Sequence, residues 1–240
     1  MFTFRVSLRP ARLPGLVVGF FAPALLLLMG AIFWAMAPPA GVTAGQGGGI
    51  QAANLAFTKL PNPDLLPPGS ALAVVFNHDS TYLAVDVTHQ VANQPFLVIY
   101  KREGDTFTRL SGPDVQPSGI VSAVEFSYDS TYLAVASSRE PEVLIYKRSG
   151  DTFTKLPDPD VLLPHSGLDV AFSSDATYLA VGHNNSPYVT IYKRNGDTFT
   201  KLPNPVGLPG GNGSGVAFSP DDAYLAVGHF QFNAPLSGYL

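Results

Sequence analysis

From about residue 55 onward the apolar positions fall into short runs parted by turn residues, and the runs recur. Residues 168–172 and 178–181 are apolar and flank Ser173-Ser174-Asp175-Ala176. Residues 188–192 are β-branched and aromatic, and residues 198–201 alternate polar with apolar. Runs this short, bounded by turn signals, predict strands and not pieces of helix. The set returns along the chain. Tyr-Leu-Ala-Val begins at Tyr82, Tyr132, Tyr178 and Tyr224, in steps of 50, 46 and 46 residues. A period of this size predicts tandem supersecondary units that pack on one another.

Turn chemistry refines the unit. Glu103-Gly104, Ser149-Gly150 and Asn195-Gly196 predict two-residue hairpins between the third and fourth strands, because Gly takes positive φ at little cost. The flanking Arg and Asp are expected to face each other across a solvated hairpin end. Leu60-Pro61-Asn62-Pro63-Asp64, Leu156-Pro157-Asp158-Pro159-Asp160 and Leu202-Pro203-Asn204-Pro205, with a drifted Ser111-Gly112-Pro113-Asp114, are expected to be stiff crossovers to the next sheet.

The N-terminus obeys different rules. Residues 1–12 carry Arg5, Arg9 and Arg12 and no acid, and residues 13–37 carry no charge. At about 1.5 Å per residue such a run crosses a bilayer core of roughly 30 Å. It predicts one transmembrane helix, or signal anchor, at 13–37, with the arginines in the cytoplasm and residues 55–240 outside it. The alternative is a cleaved signal, with Ala35-Met36-Ala37 or Val42-Thr43-Ala44 as the small-x-small site, and a secreted product. The uncharged, Gly-rich stretch 38–54 reads as a flexible tether.

Composition excludes several classes. The absence of cysteine removes disulfides, Cys-based zinc sites and thiol catalysis. Three of the fourteen basic residues lie in the first twelve positions, so the remainder sets eleven bases against eighteen acids, a net of −7. That surface repels phosphate backbones, and nucleic acid is not an expected partner.

Four-stranded antiparallel units of 46 residues in tandem resemble β-propeller blades. The wording Val-Ala-Phe-Ser-Pro-Asp-Asp-Ala-Tyr-Leu-Ala-Val at 216–227 is similar to bacterial WD40-like repeats. The resemblance covers 55–240 and implies an all-β, WD40-like propeller of about four blades. It departs from the eukaryotic pattern, since Tyr-Lys-Arg stands where Trp-Asp would, and Gly182-His183 and Gly228-His229 follow the second strand. Residues 56–60 match a fourth strand with no first three before it. Residues 215–218 and 224–227 match a first and second strand, and 236–240 a degenerate third. Either the N-terminal strand completes the last blade and closes a four-bladed ring, or the chain is part of a larger ring.

In propellers of this resemblance, the loops after the second strands and between blades share a face. That face would carry His89, Arg139, His165, His183 and His229. His183 and His229 occupy equivalent repeat positions, but Val87 and Ser137 stand there in the other copies. A metal also needs further donors, so solvent-facing histidines without metal or other cofactor are expected. Asp79, Asp129, Asp175 and Asp221 recur in one turn, where Asp bonds nearby backbone N–H groups. Glu125 and Asp169 lie in first strands, which would line the channel, and each needs a partner before it suggests acid–base work. The repeated Tyr82, Tyr132, Tyr178, Tyr224, Phe76, Phe126, Phe172 and Phe218 are expected in the blade cores.

With no catalytic constellation apparent, the expected function is a membrane-anchored, non-enzymatic scaffold binding a protein or extracellular ligand. The alternatives are a propeller-fold, metal-dependent hydrolase or lactonase using the His-bearing face, and a gene fragment with no function of its own.

Overall fold

The computed structural model describes residues 36–37, 58–88 and 94–230. A two-stranded ladder, β1 (Met36–Ala37) with β2 (Thr58–Lys59), precedes the repeats. The first blade is β3 (Val74–Phe76), β4 (Tyr82–Asp86), β5 (Leu97–Glu103) and β6 (Thr106–Arg109). The second is β7 (Val121–Phe126), β8 (Tyr132–Ser137), β9 (Val143–Ser149) and β10 (Thr152–Lys155). The third is β11 (Gly167–Phe172), β12 (Tyr178–His183), β13 (Val189–Asn195) and β14 (Thr198–Lys201). A half-blade follows, β15 (Asn212–Phe218) with β16 (Leu225–Phe230). Each blade is an antiparallel meander, and first strands of successive blades pack side by side. The predicted all-β, propeller-like architecture is therefore present, as three full blades and a half among the described residues.

The ends bear on two expectations. The strand at Thr58–Lys59 pairs with Met36–Ala37, and the third strand at 236–240 that it was expected to join lies outside the described residues. Met36 and Ala37, the last two residues of the predicted helix, are extended. Among the described residues no helix is long and apolar enough to cross a membrane. Residues 13–35 of the predicted span, the tether 38–54 and the degenerate third strand 236–240 lie outside the described residues.

Second strands are the blade cores. Tyr82, Leu83, Ala84 and Val85 are all buried, as are Tyr132, Leu133, Ala134 and Val135. Neighbouring blades meet through aromatics, with Tyr82 edge-on to Phe153 at 5.9 Å and Tyr132 to Phe199 at 6.2 Å. The core expected for the repeated aromatics holds for Tyr82, Tyr132, Phe126 and Phe172. It fails for Phe76 and Tyr224, which are exposed.

The hairpins work differently from the expectation. The turn residues are Gly104-Asp105, Gly150-Asp151 and Gly196-Asp197, with each Gly near φ +60°. That shift carries the Asp out of register with the Arg, which instead lies opposite Phe. Asp151 accepts the Tyr82 hydroxyl at 2.6 Å and pairs with Lys101 at 3.0 Å. Asp197 does the same for Tyr132 at 2.9 Å and Lys147 at 2.8 Å. Arg148 and Arg194 lie over the rings of Tyr82 and Tyr132, each 4.9 Å from the centroid. The second and third hairpins are thus clasps on the preceding blade.

The Pro-rich connectors seal edges. The Asp64, Asp114 and Asp160 carboxylates accept the N–H of Arg109, Lys155 and Lys201 on the outermost strands. In return their own N–H groups donate to the carbonyls of Phe107, Phe153 and Phe199. Each connector therefore satisfies the open ladder of the blade that follows it.

Candidate functional site

First strands β7, β11 and β15 each carry a bulge, between Val121 and Ala123, Gly167 and Asp169, and Gly213 and Gly215. An extra residue there bends the strand and re-aims the side chains beside it. Just past the bulges, Glu125 on β7 and Asp169 on β11 are brought together on adjacent first strands, both half-buried. Asp169 Oδ2 accepts the N–H of Val216 on the next first strand at 2.8 Å. One carboxylate thus ties blade three to the half-blade and still stands close enough to Glu125 to act on it electrostatically.

Burial pushes Glu125 up to about 8, and the negative charge on Asp169 adds to the rise, against a hydrogen bond from the Phe172 backbone. Burial also raises Asp169, offset by backbone hydrogen bonds from Val216 and Val170. At pH 7 Glu125 therefore keeps its proton. Two carboxyls on adjacent strands, one of them held protonated by its surroundings, can serve as an acid and a base. The partner each acid lacked in the one-dimensional view is the other.

A third acid was not singled out. Asp86, at the end of β4, is buried, and its Oδ1 accepts the N–H of Leu72 at 2.7 Å and of Ala73 at 2.8 Å. Its Oδ2 has no partner, and burial raises it to about 6. Ala136, Gly182 and Gly228 occupy this position in the other repeats, so a lone acid among small residues was the available signal.

The proposed His-bearing face does not assemble as one cluster. His89 lies outside the described residues. His183 is buried, not solvent-facing: its Nε2 lies 3.0 Å from Thr190 Oγ1, and burial lowers it to about 4, so it is neutral at pH 7. His229 is exposed on β16. Its neighbours include Val189, Val227 and Leu225 around a shallow apolar depression. His165 is exposed, and its Nδ1 accepts the Ser166 N–H at 2.9 Å. Arg139 is exposed on a neighbouring loop, since Ser166 Oγ donates to Ser138 O at 3.2 Å. Among the described residues no three His, Asp or Glu side chains gather as metal ligands would. The recurrent turn acids are local, as read from the sequence: Asp79, Asp129, Asp175 and Asp221 accept N–H from Thr81, Thr131, Thr177 and Ala223.

No protein-family model and no curated protein matches the chain, so the WD40-like wording has no family match behind it. Solved structures do match. A protein from Bacteroides uniformis described as a 6-phosphogluconolactonase aligns over 65% of this chain and 46% of its own, at 15% identity and TM-score 0.52. The periplasmic gluconolactonase of Pseudomonas aeruginosa aligns over 65% and 49%, at 19% identity and TM-score 0.50. The likeness is one of fold, and the chain spans about half the length of either protein. Both are lactonases by description. This finding overturns the expected non-enzymatic scaffold and favours the hydrolase alternative.

Proposed function

We propose that the chain is a lactonase-like hydrolase whose reaction is carried by Glu125 and Asp169. The observation that carries the reading is the pairing of these carboxyls on adjacent first strands, and the lactonase descriptions of proteins sharing the fold support it. Asp169, held by the Val216 N–H, takes a proton from water as the oxygen adds to the lactone carbonyl carbon. Glu125 then protonates the ring oxygen as the acyl C–O bond breaks, releasing the hydroxy acid. Solvent exchange resets both protons. The metal and histidine face of the original alternative is not part of this reading, because His183 is engaged with Thr190.

The test is hydrolysis of gluconolactone by purified protein, followed by acid release above the spontaneous rate. Glu125→Gln and Asp169→Asn are each expected to lower kcat/KM by about 10²-fold or more. The Asp169 carboxylate that acts as the base repels a phosphate, so gluconolactone is expected to be turned over faster than its 6-phosphate. Wild-type activity in both variants, or none in the wild type, sinks the proposal.

The proposal also retains the anchor, shortened to residues 13–35 because Met36 and Ala37 are extended, and it holds the repeats at the outer surface of the membrane. Fractionation is expected to leave full-length protein in the membrane pellet. A soluble extracytoplasmic product starting near Pro38 or Gly45 would replace the anchor with a cleaved signal.

A further inference from the structure

We infer that Arg139 and His165 form a carboxylate receptor at the mouth beside Asp169, where the acid released by the proposed hydrolysis is held on its way out. Its ligand follows from the lactonase reading, and its place follows from the junction of blades two and three. Two contacts lay the loop 138–142 along the start of β11. Ser166 Oγ donates to Ser138 O at 3.2 Å, and Glu142 O lies 2.8 Å from where a Cβ on Gly167 would stand. Gly167 opens β11, and Asp169 follows it across the bulge. Arg139 and His165 therefore flank one mouth, from the blade-two and the blade-three side.

The loop that carries Arg139 is held in place. Ser118 Oγ donates to Glu140 O at 2.8 Å, and a Cβ at Gly119 would stand 2.8 Å from Arg139 Cβ and Cγ. The root of the side chain is thus pressed onto the preceding connector while the residue stays exposed. Its charge is uncommitted. Arg102, Arg148 and Arg194 each give their Nε–H to a backbone carbonyl. Among the described residues the Arg139 guanidinium has no hydrogen-bond or ion-pair partner, the adjoining Glu140 included. His165 adds a donor. Its Nδ1 accepts the Ser166 N–H at 2.9 Å, so the neutral ring carries its hydrogen on Nε2. A guanidinium fork with a further N–H beside it suits a carboxylate.

The reaction supplies that carboxylate. Before turnover the proposed site holds one negative charge, on Asp169, and a neutral lactone. Once Asp169 has taken a proton from water and Glu125 has given one to the ring oxygen, the charge sits on Glu125. The released hydroxy acid then ionises and adds a second. Like charges this close repel, and the chain beyond its first twelve residues already carries a net of −7. An unpaired cation at the mouth offsets that repulsion for the product. The lactone is uncharged, so the receptor acts on product and not on substrate.

Calorimetric titration of gluconate into the full chain in mild detergent tests this. Saturable binding is expected, and none of sorbitol, which has an alcohol in place of the carboxylate. Arg139→Gln is expected to weaken gluconate about fivefold or more, and Arg139→Lys less. The KM for gluconolactone is expected to stay within about twofold in both variants. Glu125→Gln separates the receptor from the reaction, since it removes the proposed acid and is expected to keep gluconate bound. Gluconate held through Arg139 by a wild type that hydrolyses nothing would sink the reaction and uphold the receptor. No saturable gluconate binding, equal binding of sorbitol, or a gluconate affinity unchanged in Arg139→Gln would each overturn the receptor.

Discussion

Glu125→Gln is expected to stabilise the protein at pH 9 by about 5 kcal/mol relative to pH 4. Folding raises the Glu125 carboxyl from 4.5 to about 8. A group raised in this way favours the fold fully below its unfolded value, and that contribution is lost as pH rises through the folded one. The window therefore runs from pH 4.5 to 8, and above it the wild type must hold a charge in a half-buried site beside Asp169. Glutamine keeps the shape and has nothing to ionise. Urea unfolding of both proteins at pH 4 and pH 9 measures the difference. An identical gap at the two pH values would show that Glu125 is not held protonated, and its role as the acid would go with it. A substitution that strengthens the fold while removing activity is what a functional acid, and not a structural one, would show.

Gly213→Ala is expected to cost about 3 kcal/mol. A Cβ at Gly213 would stand 2.2 Å from Tyr188 O and 3.2 Å from Gly182 Cα, and one at Gly182 would meet Gly213 O at 2.4 Å. These are backbone atoms, so no side chain can swing aside. The two glycines mark the closest approach of the half-blade to blade three. Hydrogen exchange should show β15 and β16 losing protection while blades one and two keep theirs. Gly228→Ala, whose nearest contact would be 3.8 Å, should stay within about 0.5 kcal/mol of wild type. Equal losses in the two variants would mean that the tight approach is not what fixes the half-blade.

Much of the blade could be read from the sequence because its causes are local. Tyr82 and Tyr132 head apolar runs, Gly104 and its equivalents make turns, and Asp79 bonds a neighbour two residues on. What escaped depends on the distance between blades. Asp151 meets Lys101 and Asp197 meets Lys147 across 50 residues, a separation that acquires meaning only once blades are known to lie side by side. The recurrence of Tyr, Lys and Asp together was visible, but a charged hairpin tip has an equally simple solvated explanation. Glu125 and Asp169 stand 44 residues apart, close to one period, and two strands had to be placed in contact before either acid had a partner. His183 misled in the opposite way. Its repeat position matched His229, but a flanking blade buries one and the open edge exposes the other.

The connectors also bear on how such a chain can change length. Asp64, Asp114 and Asp160 each seal the outermost strand of the blade that follows, so a segment cut just before its connector brings its own edge protection with it. Copying or losing one such segment leaves the outer edge of each remaining full blade sealed. Unequal recombination between repeats therefore adds or removes whole blades without exposing a sticky ladder to aggregation, and blade number becomes a trait on which selection can act separately from blade stability.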